Sequence, residues 1–237
     1  ALMGPNGNGK STLLSAIMGN PKYQVTEGSI YLDGQNVLEM SVDERSKAGI
    51  FLGMQYPQEI PGVVTSDFLR AALNAHQEKP VSLFKFIKEL DKNIADLKMD
   101  ENLAHRYLNE GFSGGEKKRN EILQMKLLKP KFALLDEIDS GLDVDALKIV
   151  SEAINDMKSD SFGCVMVSHY ERLFELVPPS HVHILVDGKI VLSGGQELID
   201  RIDKEGYRWV KELGFDFETE EDKQPIVLGS CGNKVKA

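Results

Sequence analysis

Cysteine is scarce in this chain, and its scarcity excludes several kinds of protein. Cys164 and Cys231 are the two cysteines among 237 residues, and they form neither a disulfide framework nor a metal-binding spacing. No apolar run approaches the roughly 18 residues of a membrane span. The N-terminus also lacks a charged segment followed by a hydrophobic one. We therefore expect a cytoplasmic protein that makes no direct membrane insertion.

Positive charge is also in short supply. The chain has 28 Lys and Arg against 37 Asp and Glu, which gives a formal charge of −9 at pH 7. Nucleic-acid binding in general relies on Lys and Arg to displace counterions from phosphates. The balance therefore argues against nucleic acid as a ligand and favours protein partners. With 41% hydrophobic residues, the chain still has enough apolar material for a sizeable core.

Glycine is concentrated near the start of the chain, in the sequence GPNGNGKST at residues 4–12. This stretch fills every fixed position of the phosphate-binding template G-x-x-x-x-G-K-[ST]. Glycines permit left-handed backbone angles, so that successive N–H groups can converge on phosphate oxygens. Lys10 supplies charge for the β- and γ-phosphates, Ser11 offers a hydroxyl to Mg²⁺, and a predicted helix points its positive end at the anion. The predicted nucleotide-binding residues are Gly4, Pro5, Asn6, Gly7, Asn8, Gly9, Lys10, Ser11 and Thr12.

The approach to this phosphate loop is unusually short, because Ala1, Leu2 and Met3 alone precede Gly4. A phosphate loop normally follows a full strand. We expect the first strands of the sheet to be missing from this chain, together with the residues that would contact the nucleotide base.

Polar side chains stand at the carboxyl ends of three predicted buried strands. Gln55 follows IFLGM at 50–54, and His169 follows CVMVS at 164–168. Asp136 and Glu137 end KFALLDE at 131–137. Parallel-sheet proteins bind ligands at this edge, where an Asp suits Mg²⁺ and a Glu suits orienting or deprotonating water. Taken alone, Gln55 would be an ordinary loop amide and His169 a structural residue, but His169 can also reach a γ-phosphate from such a position.

The remaining pattern is mostly helical. GSIYLDG at 28–34 predicts a strand and reversal, SVDE at 41–44 predicts a capped short helix ending near Gly49, and residues 65–108 predict helix. Residues 197–213 predict a terminal helix, followed by an acidic run at 216–222. An amphipathic helix packed on its neighbours is predicted from apolar residues at helical spacing, namely Leu83, Phe86, Ile87, Leu90, Ile94 and Leu97.

A second glycine turn precedes a helix predicted from about Glu116 to Leu128. Adjacent glycines at a helix start make another anion site, although a simple capping turn also fits. A later turn containing Asp143 leads into a helix at 146–157. The residues of the glycine turn are Ser113, Gly114, Gly115 and Glu116.

The order of these landmarks, which span residues 4–169, resembles that of the ATP-binding-cassette ATPases, and the strands to about Ser193 extend the match. Within that superfamily, GFSGGEKKRNEILQ at 111–124 and IDSGLDVDAL at 138–147 closely resemble the SufC family, the ATPases of the SUF iron–sulfur cluster assembly system. QYP at 55–57 and SHY at 168–170 are similar to that family as well. Phe112 and Glu116 replace the Leu and Gln usual in transporter signatures, which fits the SufC pattern.

The resemblance implies an α/β P-loop NTPase fold, with a mixed or parallel sheet as core and an inserted helical subdomain. We expect an N-terminally incomplete P-loop core at 1–64 and a helical subdomain with the signature turn at 65–128. The remainder of the catalytic core and the terminal helices would occupy 129–213. An acidic, flexible tail would occupy 214–237, where neither its composition nor Cys231 predicts a catalytic role.

The resemblance also implies a Mg²⁺-dependent ATPase that converts ATP and water to ADP and phosphate. Lys10, Glu137 and His169 would be catalytic, and the metal would be held by Ser11, Gln55 and Asp136. Ser113, Gly114, Gly115 and Glu116 would complete the site of a second copy, so that the competent enzyme is a head-to-tail dimer. Asp143 is the implied D-loop residue.

Two functions remain open for such an ATPase. The first is to power cluster assembly on scaffold proteins similar to SufB and SufD, and the second is to drive a membrane transporter. A nucleic-acid-linked cassette ATPase is disfavoured by the charge and by the absence of a long coiled coil or zinc insertion. The sequence YPQEIPGVV at 56–64 predicts a rigid, partly apolar loop that either binds the partner or simply connects to the next helix.

Overall fold

Short strands alternate with helices along the part of the chain that the structure describes. The computed structural model describes residues 1–215 and 217. Within these residues, the strands are β1 (Leu2–Met3), β2 (Tyr31–Leu32), β3 (Gln35–Asn36), β4 (Ile50–Gly53), β5 (Ile60–Val64), β6 (Tyr107–Leu108), β7 (Phe132–Asp136), β8 (Gly163–Val167), β9 (Val182–Val186) and β10 (Lys189–Gly194).

Six of these strands form the main sheet, and helices pack on both of its faces. Two short 3-10 helices, Val37–Glu39 and Glu101–His105, supplement them. The α-helices of the described residues are α1 (Lys10–Met18), α2 (Val42–Ala48), α3 (Thr65–Ala75), α4 (Leu83–Asp96), α5 (Gly114–Leu128), α6 (Val144–Asp156), α7 (Glu171–Leu176), α8 (Gln196–Glu205) and α9 (Arg208–Glu212).

The central sheet has six strands in the order β10-β9-β1-β8-β7-β4. Neighbouring strands pair in parallel, except that β10 runs antiparallel to β9. Strand β7 lies inside the sheet, and its residues Ala133, Leu134 and Leu135 are fully buried, as expected for a parallel strand covered on both faces. The predicted α/β fold with a mixed sheet is confirmed.

Several local predictions agree with the structure. A capping box between Ser41 and Glu44 opens α2, and the helix ends at Gly49, whose φ of 108° is left-handed. The strand predicted at 28–34 is present as β2, which reverses through Asp33 and Gly34 into β3. The apolar stripe of α4 is narrower than predicted, because Leu83 and Ile87 are exposed.

The terminal helix predicted at 197–213 is wrong as a single element. The structure breaks it into α8 and α9. At the break, Gly206 has a φ of 64° and a ψ of −152°, which lies outside the helical region. Glycine reaches such angles readily, so the chain changes direction before Tyr207.

The rigid loop predicted at 56–64 is partly a strand. Its second half is β5, which pairs antiparallel with β6, a short strand inside the region predicted to be helical. The two strands lie about 45 residues apart in sequence, and local patterns carry no information about such pairing. Ile60 and Val63 of β5 remain exposed, by 41% and 37%.

The described part of the chain leaves some predictions open. The division at residues 64, 128 and 213 stays a prediction, and the acidic run at 216–222, apart from Phe217, lies with Cys231 outside the described residues. Burial raises the pKa of the Cys164 thiol to about 12, which disfavours the reactive thiolate form. Within residues 1–215 and 217, no helix has both the length and the apolar character needed to cross a membrane.

Arg45 caps the C-terminal end of α1, and we expect its loss to destabilise the fold. Its Nη1 donates to the carbonyls of Ala16 and Ile17 at 3.0 and 2.8 Å, and its Nε donates to Met40 at 3.0 Å. Arg45→Met keeps the aliphatic stem and leaves these carbonyls without the guanidinium. Hydrogen bonds to charged groups contribute about 1.5–3 kcal/mol, so we expect urea unfolding to show a loss of that size.

The matched control is Lys47→Met in the same helix. Lys47 makes one exposed ion pair with Asp43, a type of contact that adds little stability. The urea midpoint of this variant should therefore stay close to that of the parent. Equal losses for Arg45→Met and Lys47→Met would contradict the capping role.

Candidate active site

The sheet brings the predicted polar residues to one edge. Gln55 follows β4 after one intervening residue, Glu137 comes directly after β7, and His169 follows β8 after one residue. The three strands are parallel members of the sheet, so their carboxyl ends lie side by side. The phosphate loop starts from the same edge, because β1 pairs in parallel with β8.

The phosphate loop has the backbone geometry that its glycines predict. Gly4, Gly7 and Gly9 have φ angles of 151°, 78° and 97°. A Cβ on Gly4 would approach the carbonyl oxygen of Leu185 to 2.1 Å, which excludes any larger residue. Gly9 is the N-cap of α1, so the loop leads directly into the positive end of that helix.

Lys10 lies inside the curve of this loop. Its side chain is 95% buried, since its exposed fraction is 5%. Its Nζ donates to the carbonyls of Gly4 and Pro5 at 2.7 and 2.9 Å. Burial is the main cause that lowers the pKa of Lys10 to about 8, and Glu137 and Asp136 oppose the shift. Glu137 and Asp136 therefore favour the protonated, cationic form of Lys10, which is the form that phosphates require.

Ser11 and Asp136 form the part of the site that is suited to a metal. Ser11 Oγ donates to Asp136 Oδ1 at 3.0 Å, and burial raises the pKa of Asp136. Hard oxygen donors of this kind fit Mg²⁺. Within residues 1–215 and 217, no three His, Cys, Asp or Glu side chains are grouped so that they could hold a metal. Ser11 and Asp136 therefore fit a Mg²⁺ ion that also takes oxygen ligands from a nucleotide. Proteins usually bind Mg²⁺ in this way, through one or two side chains together with substrate phosphates.

The Glu137 carboxylate contacts two of the other predicted residues, Gln55 and His169. Gln55 Nε2 donates to Glu137 Oε2 at 2.6 Å, and His169 Nε2 lies 3.4 Å from Glu137 Oε1. Glu137 has a left-handed φ of 48°, and its N–H donates to the carbonyl of Val167 at 3.0 Å. Such a conformation is uncommon for a residue with a side chain, and it is frequent where function demands a fixed orientation.

These residues surround a polar cleft of about 410 Å³. A larger groove of about 680 Å³ has a mainly apolar lining that includes Leu13 and Phe162, and it contains none of the predicted site residues. We therefore assign the chemistry to the polar cleft. Its lining consists of Asn6, Gly7, Gly9, Lys10, Ser11, Thr12, Gln55, Glu137 and His169.

The second glycine turn lies apart from this cleft. Ser113 is the N-cap of α5 and forms a capping box with Glu116, so the helix begins at Gly114, two residues before the predicted start. Ser113 and Gly114 are exposed. Asp143 is likewise an N-cap, since its Oδ1 accepts the N–H of Ala146 at 2.7 Å at the start of α6. Neither the turn nor Asp143 lines the cleft of the same chain.

Sequence reasoning missed two buried residues that fix the segment carrying Gln55. Lys118 Nζ donates to the carbonyls of Met54 and Gln55 at 2.9 and 2.8 Å. Glu121 Oε2 accepts the N–H of Met54 at 3.0 Å. Both belong to α5, at helical spacing from the buried Ile122 and Met125. Charges on the apolar face of a helix were the available signal.

A third missed contact lies beside His169. Ser168 Oγ donates to Asp139 Oδ2 at 2.5 Å, and both residues are buried. Burial raises the pKa of Asp139, and the Ser168 hydrogen bond opposes that shift. The turn after β7 is thereby tied to the end of β8, which holds Glu137 and His169 at their observed separation.

The fold and the cleft together define a P-loop nucleoside-triphosphate-binding protein. A family model described as "ABC transporter" matches residues 1–140, more than half of the chain. The chain therefore belongs to the ATP-binding-cassette ATPases, the ATP-hydrolysing subunits of the ABC transporter family.

Curated relatives support this membership. "Vegetative protein 296" of Bacillus subtilis (strain 168) is 61% identical over 222 residues, which cover 92% of this chain and 85% of that protein. A "Probable ABC transporter ATP-binding protein" of Streptococcus pyogenes serotype M18 is 56% identical over 223 residues, with 93% and 87% covered. The "Probable ATP-dependent transporter ycf16" of Cyanophora paradoxa is 46% identical over 220 residues, with 90% and 84% covered.

Solved structures agree on the fold. One is described as "Dimeric structure of a post-hydrolysis state of the ATP-binding cassette MJ0796 bound to ADP and Pi". It has a TM-score of 0.71 at 22% identity and covers 82% of this chain and 83% of its own. Another, "Structure of ATP binding subunit of ABC transporter", has a TM-score of 0.71 at 24% identity, with 90% and 85% covered.

The buried carboxyl of Glu121 should make the stability of the fold depend on pH. Burial raises the pKa of Glu121 from 4.5 to about 7, against the opposing effects of the Met54 N–H and Lys118. The folded chain then binds this proton more tightly than the unfolded chain, so stability is lost as pH rises from about 4.5 through about 7. The total loss is of the order of 3 kcal/mol.

Glu121→Gln keeps the shape of the side chain and cannot ionise. The free energy of unfolding of Glu121→Gln minus that of the parent should therefore increase from pH 5 to pH 8. Urea titration of both proteins at each pH measures this difference. Glu152→Gln changes an exposed carboxyl on α6 and should give a curve parallel to that of the parent. A constant offset for Glu121→Gln over this pH range would show that its carboxyl is not the titrating group.

Proposed function

We propose that the chain is the ATP-hydrolysing subunit that powers iron–sulfur cluster assembly on a scaffold similar to SufB and SufD. The observation that carries the proposal is the stretch at 111–124, which resembles the SufC family and forms α5 with the turn before it. Lys118 and Glu121 of that stretch hold the backbone of Met54 and Gln55. Two residues of the stretch therefore bond directly to the segment that carries Gln55.

In this proposal the phosphate loop binds ATP. The N–H groups of the loop and the Lys10 ammonium face the phosphates, whose charge would replace the carbonyl contacts that Lys10 makes to Gly4 and Pro5. Ser11, Gln55 and Asp136 would hold Mg²⁺, which neutralises phosphate charge when it is bound. Thr12 lies in the first turn of α1, beside these groups.

Hydrolysis would centre on Glu137. Its carboxylate orients a water molecule and accepts its proton as the water oxygen attacks the γ-phosphorus and the bond to ADP breaks. The Gln55 amide and the His169 ring contact the two oxygens of this carboxylate from different sides, so both fix its direction. His169 also lines the cleft and would contact the γ-phosphate.

A second copy would complete the site. Ser113, Gly114, Gly115 and Glu116 form a helix start with the geometry of an anion site, and they lie outside the cleft of their own chain. In a head-to-tail dimer this turn would face the γ-phosphate bound to the other copy. Asp143 would lie at the same interface. Binding of ATP would close the dimer, and hydrolysis would reopen it.

The second candidate is the ATPase subunit of an ABC membrane transporter. The names of two relatives favour it, because they describe ATP-binding or ATP-dependent transporter proteins. Both functions use the same hydrolysis, so the partner distinguishes them. Co-purification from the native organism followed by mass spectrometry tests the choice. Capture of soluble SufB- and SufD-like proteins supports cluster assembly, whereas capture of an integral membrane permease supports transport.

We expect Glu137→Gln and Lys10→Ala to separate hydrolysis from binding. Glu137→Gln keeps a hydrogen-bonding side chain but loses the base, so ATP turnover should fall by about 10²–10⁴-fold while nucleotide affinity stays near that of the parent. Lys10→Ala removes the cation that faces the phosphates, so affinity itself should fall. Phosphate release and titration with a fluorescent nucleotide measure the two effects.

Lys22→Ala is the matched control, because Lys22 is an exposed cation outside the cleft. It should change neither quantity. Turnover near the parent rate in Glu137→Gln would remove Glu137 from its role as base. Unchanged affinity in Lys10→Ala would remove Lys10 from phosphate binding.

The partner surface proposed at residues 56–64 is exposed and partly apolar. Tyr56 has an exposed fraction of 73%, and Ile60 one of 41%. Asn109 Nδ2 donates to the carbonyl of Gln58 at 2.9 Å, and this hydrogen bond holds the segment between Tyr56 and Ile60 in place. Rigid apolar residues within a polar surround are typical energetic centres of protein interfaces. A connecting segment with no partner would gain nothing from exposing these side chains.

We expect Tyr56→Glu and Ile60→Glu each to abolish capture of SufB- and SufD-like proteins and to lower partner-stimulated ATPase activity. Nucleotide affinity should stay nearly unchanged, since neither residue lines the cleft. Val42→Glu serves as the control, because Val42 is exposed to a similar extent, 46%, at the start of α2. Parental capture by the Tyr56 and Ile60 variants would refute this surface, and capture of a permease would favour transport.

A further inference from the structure

A hydrogen bond joins the C-terminal helices to the phosphate loop. The N–H of Gly4 donates to the hydroxyl oxygen of Tyr207 at 2.9 Å, although 203 residues separate them in sequence. Tyr207 lies between α8 and α9 and does not line the polar cleft. Its hydroxyl therefore contacts the backbone of the loop outside the cleft.

The surrounding structure fixes the position of this hydroxyl. The turn at Gly206 ends α8 and directs the chain toward the loop. On the other side of Tyr207, Trp209 and Val210 of α9 are buried, with exposed fractions of 4% and 0%. The Arg201 guanidinium lies 4.1 Å from the centre of the Trp209 ring. Burial raises the pKa of Tyr207 to about 12, so its hydroxyl stays neutral at physiological pH.

The loop is held at two points by residues between 185 and 207. At the first, Gly4 packs against the carbonyl of Leu185 and donates to Tyr207. At the second, Asn8 Oδ1 accepts the N–H of Asp187 at 2.8 Å, in the turn between β9 and β10. The carbonyl of Gly4 in turn accepts Lys10 Nζ at 2.7 Å. The orientation of the backbone at Gly4 thus bears directly on the phosphate-binding cation.

We propose that Tyr207 is a positioning residue for nucleotide binding, which keeps the phosphate loop in its binding conformation before ATP arrives. The proposal rests on the binding role proposed above for the loop. Without the hydroxyl, the Gly4 N–H loses its hydrogen-bond partner and the loop loses one of the contacts that order it, so part of the binding free energy must reorder the loop. This cost falls on binding and leaves the hydrolysis step unchanged.

Tyr207→Phe tests the proposal, because it removes one oxygen and keeps the ring packed. One neutral hydrogen bond corresponds to about a 2- to 10-fold change in an equilibrium constant. We expect the Kd for ATP and the KM to rise by that factor, while kcat at saturating ATP stays within about 2-fold of the parent. Tyr31→Phe is the matched control, since it removes a hydroxyl from a side chain that is 65% exposed, and it should change neither constant.

Amide hydrogen exchange supplies a readout that is independent of activity. Without nucleotide, the peptide that contains Gly4 should exchange faster in Tyr207→Phe than in the parent or in Tyr31→Phe. Unchanged Kd and KM in Tyr207→Phe would overturn the proposal, even if the variant were less stable to urea. Lys10→Ala in the same titration separates the two hypotheses: if it weakens binding and Tyr207→Phe does not, only the positioning role fails.

Discussion

The burial of charge at the carboxyl edge of the sheet is the constraint on which the site depends. Lys10, Asp136 and Asp139 are each at most 6% exposed, and a buried ion without a partner costs several kcal/mol. Each of them therefore has a specific partner. Lys10 donates to two loop carbonyls, Asp136 accepts from Ser11, and Asp139 accepts from Ser168. These bonds also fix the side chains where chemistry requires them.

The parts of this site that sequence could predict are those set by local chemistry. The glycine template predicted the left-handed angles of Gly7 and Gly9, because few other residues adopt them. The apolar run before Asp136 predicted a fully buried strand, and the end of that strand is where the sheet opens to ligands. Because the carboxyl ends of parallel strands lie at one edge of a sheet, the expectation of parallel strands was enough to predict that Glu137 lies near Gln55 and His169.

The parts that sequence could not predict depend on contacts between distant segments. Strand β5 forms because β6 lies beside it, and the residues of β5 carry no alternating pattern. The break before Tyr207 follows from one glycine within an otherwise helical stretch, where a glycine is often tolerated. The roles of Lys118 and Glu121 could not be predicted, since their acceptor and donor at Met54 lie more than 60 residues away.

Helix α5 connects the two sets of residues that the proposed dimer would use. Its N-cap is Ser113, which would face the nucleotide of the other copy, and its second and third turns hold Met54 and Gln55 through Lys118 and Glu121. The buried hydrogen bonds of Lys118 and Glu121 hold α5 against Met54 and Gln55. They hold it more firmly than the exposed ion pair between Lys117 and Glu59 does, because salt and water weaken an exposed pair.

A shift of α5 in response to the second copy would therefore carry Gln55 with it. Gln55 donates to the carboxylate of Glu137 at 2.6 Å, so the direction of the proposed base depends on where α5 lies. Tyr56 follows Gln55 directly, and the exposed strand β5 begins at Ile60. Both would move together with Gln55. In the proposed function, closure of the dimer, the direction of the base and the partner surface would thus be linked through one stretch of backbone, at residues 54–56, that α5 holds in place.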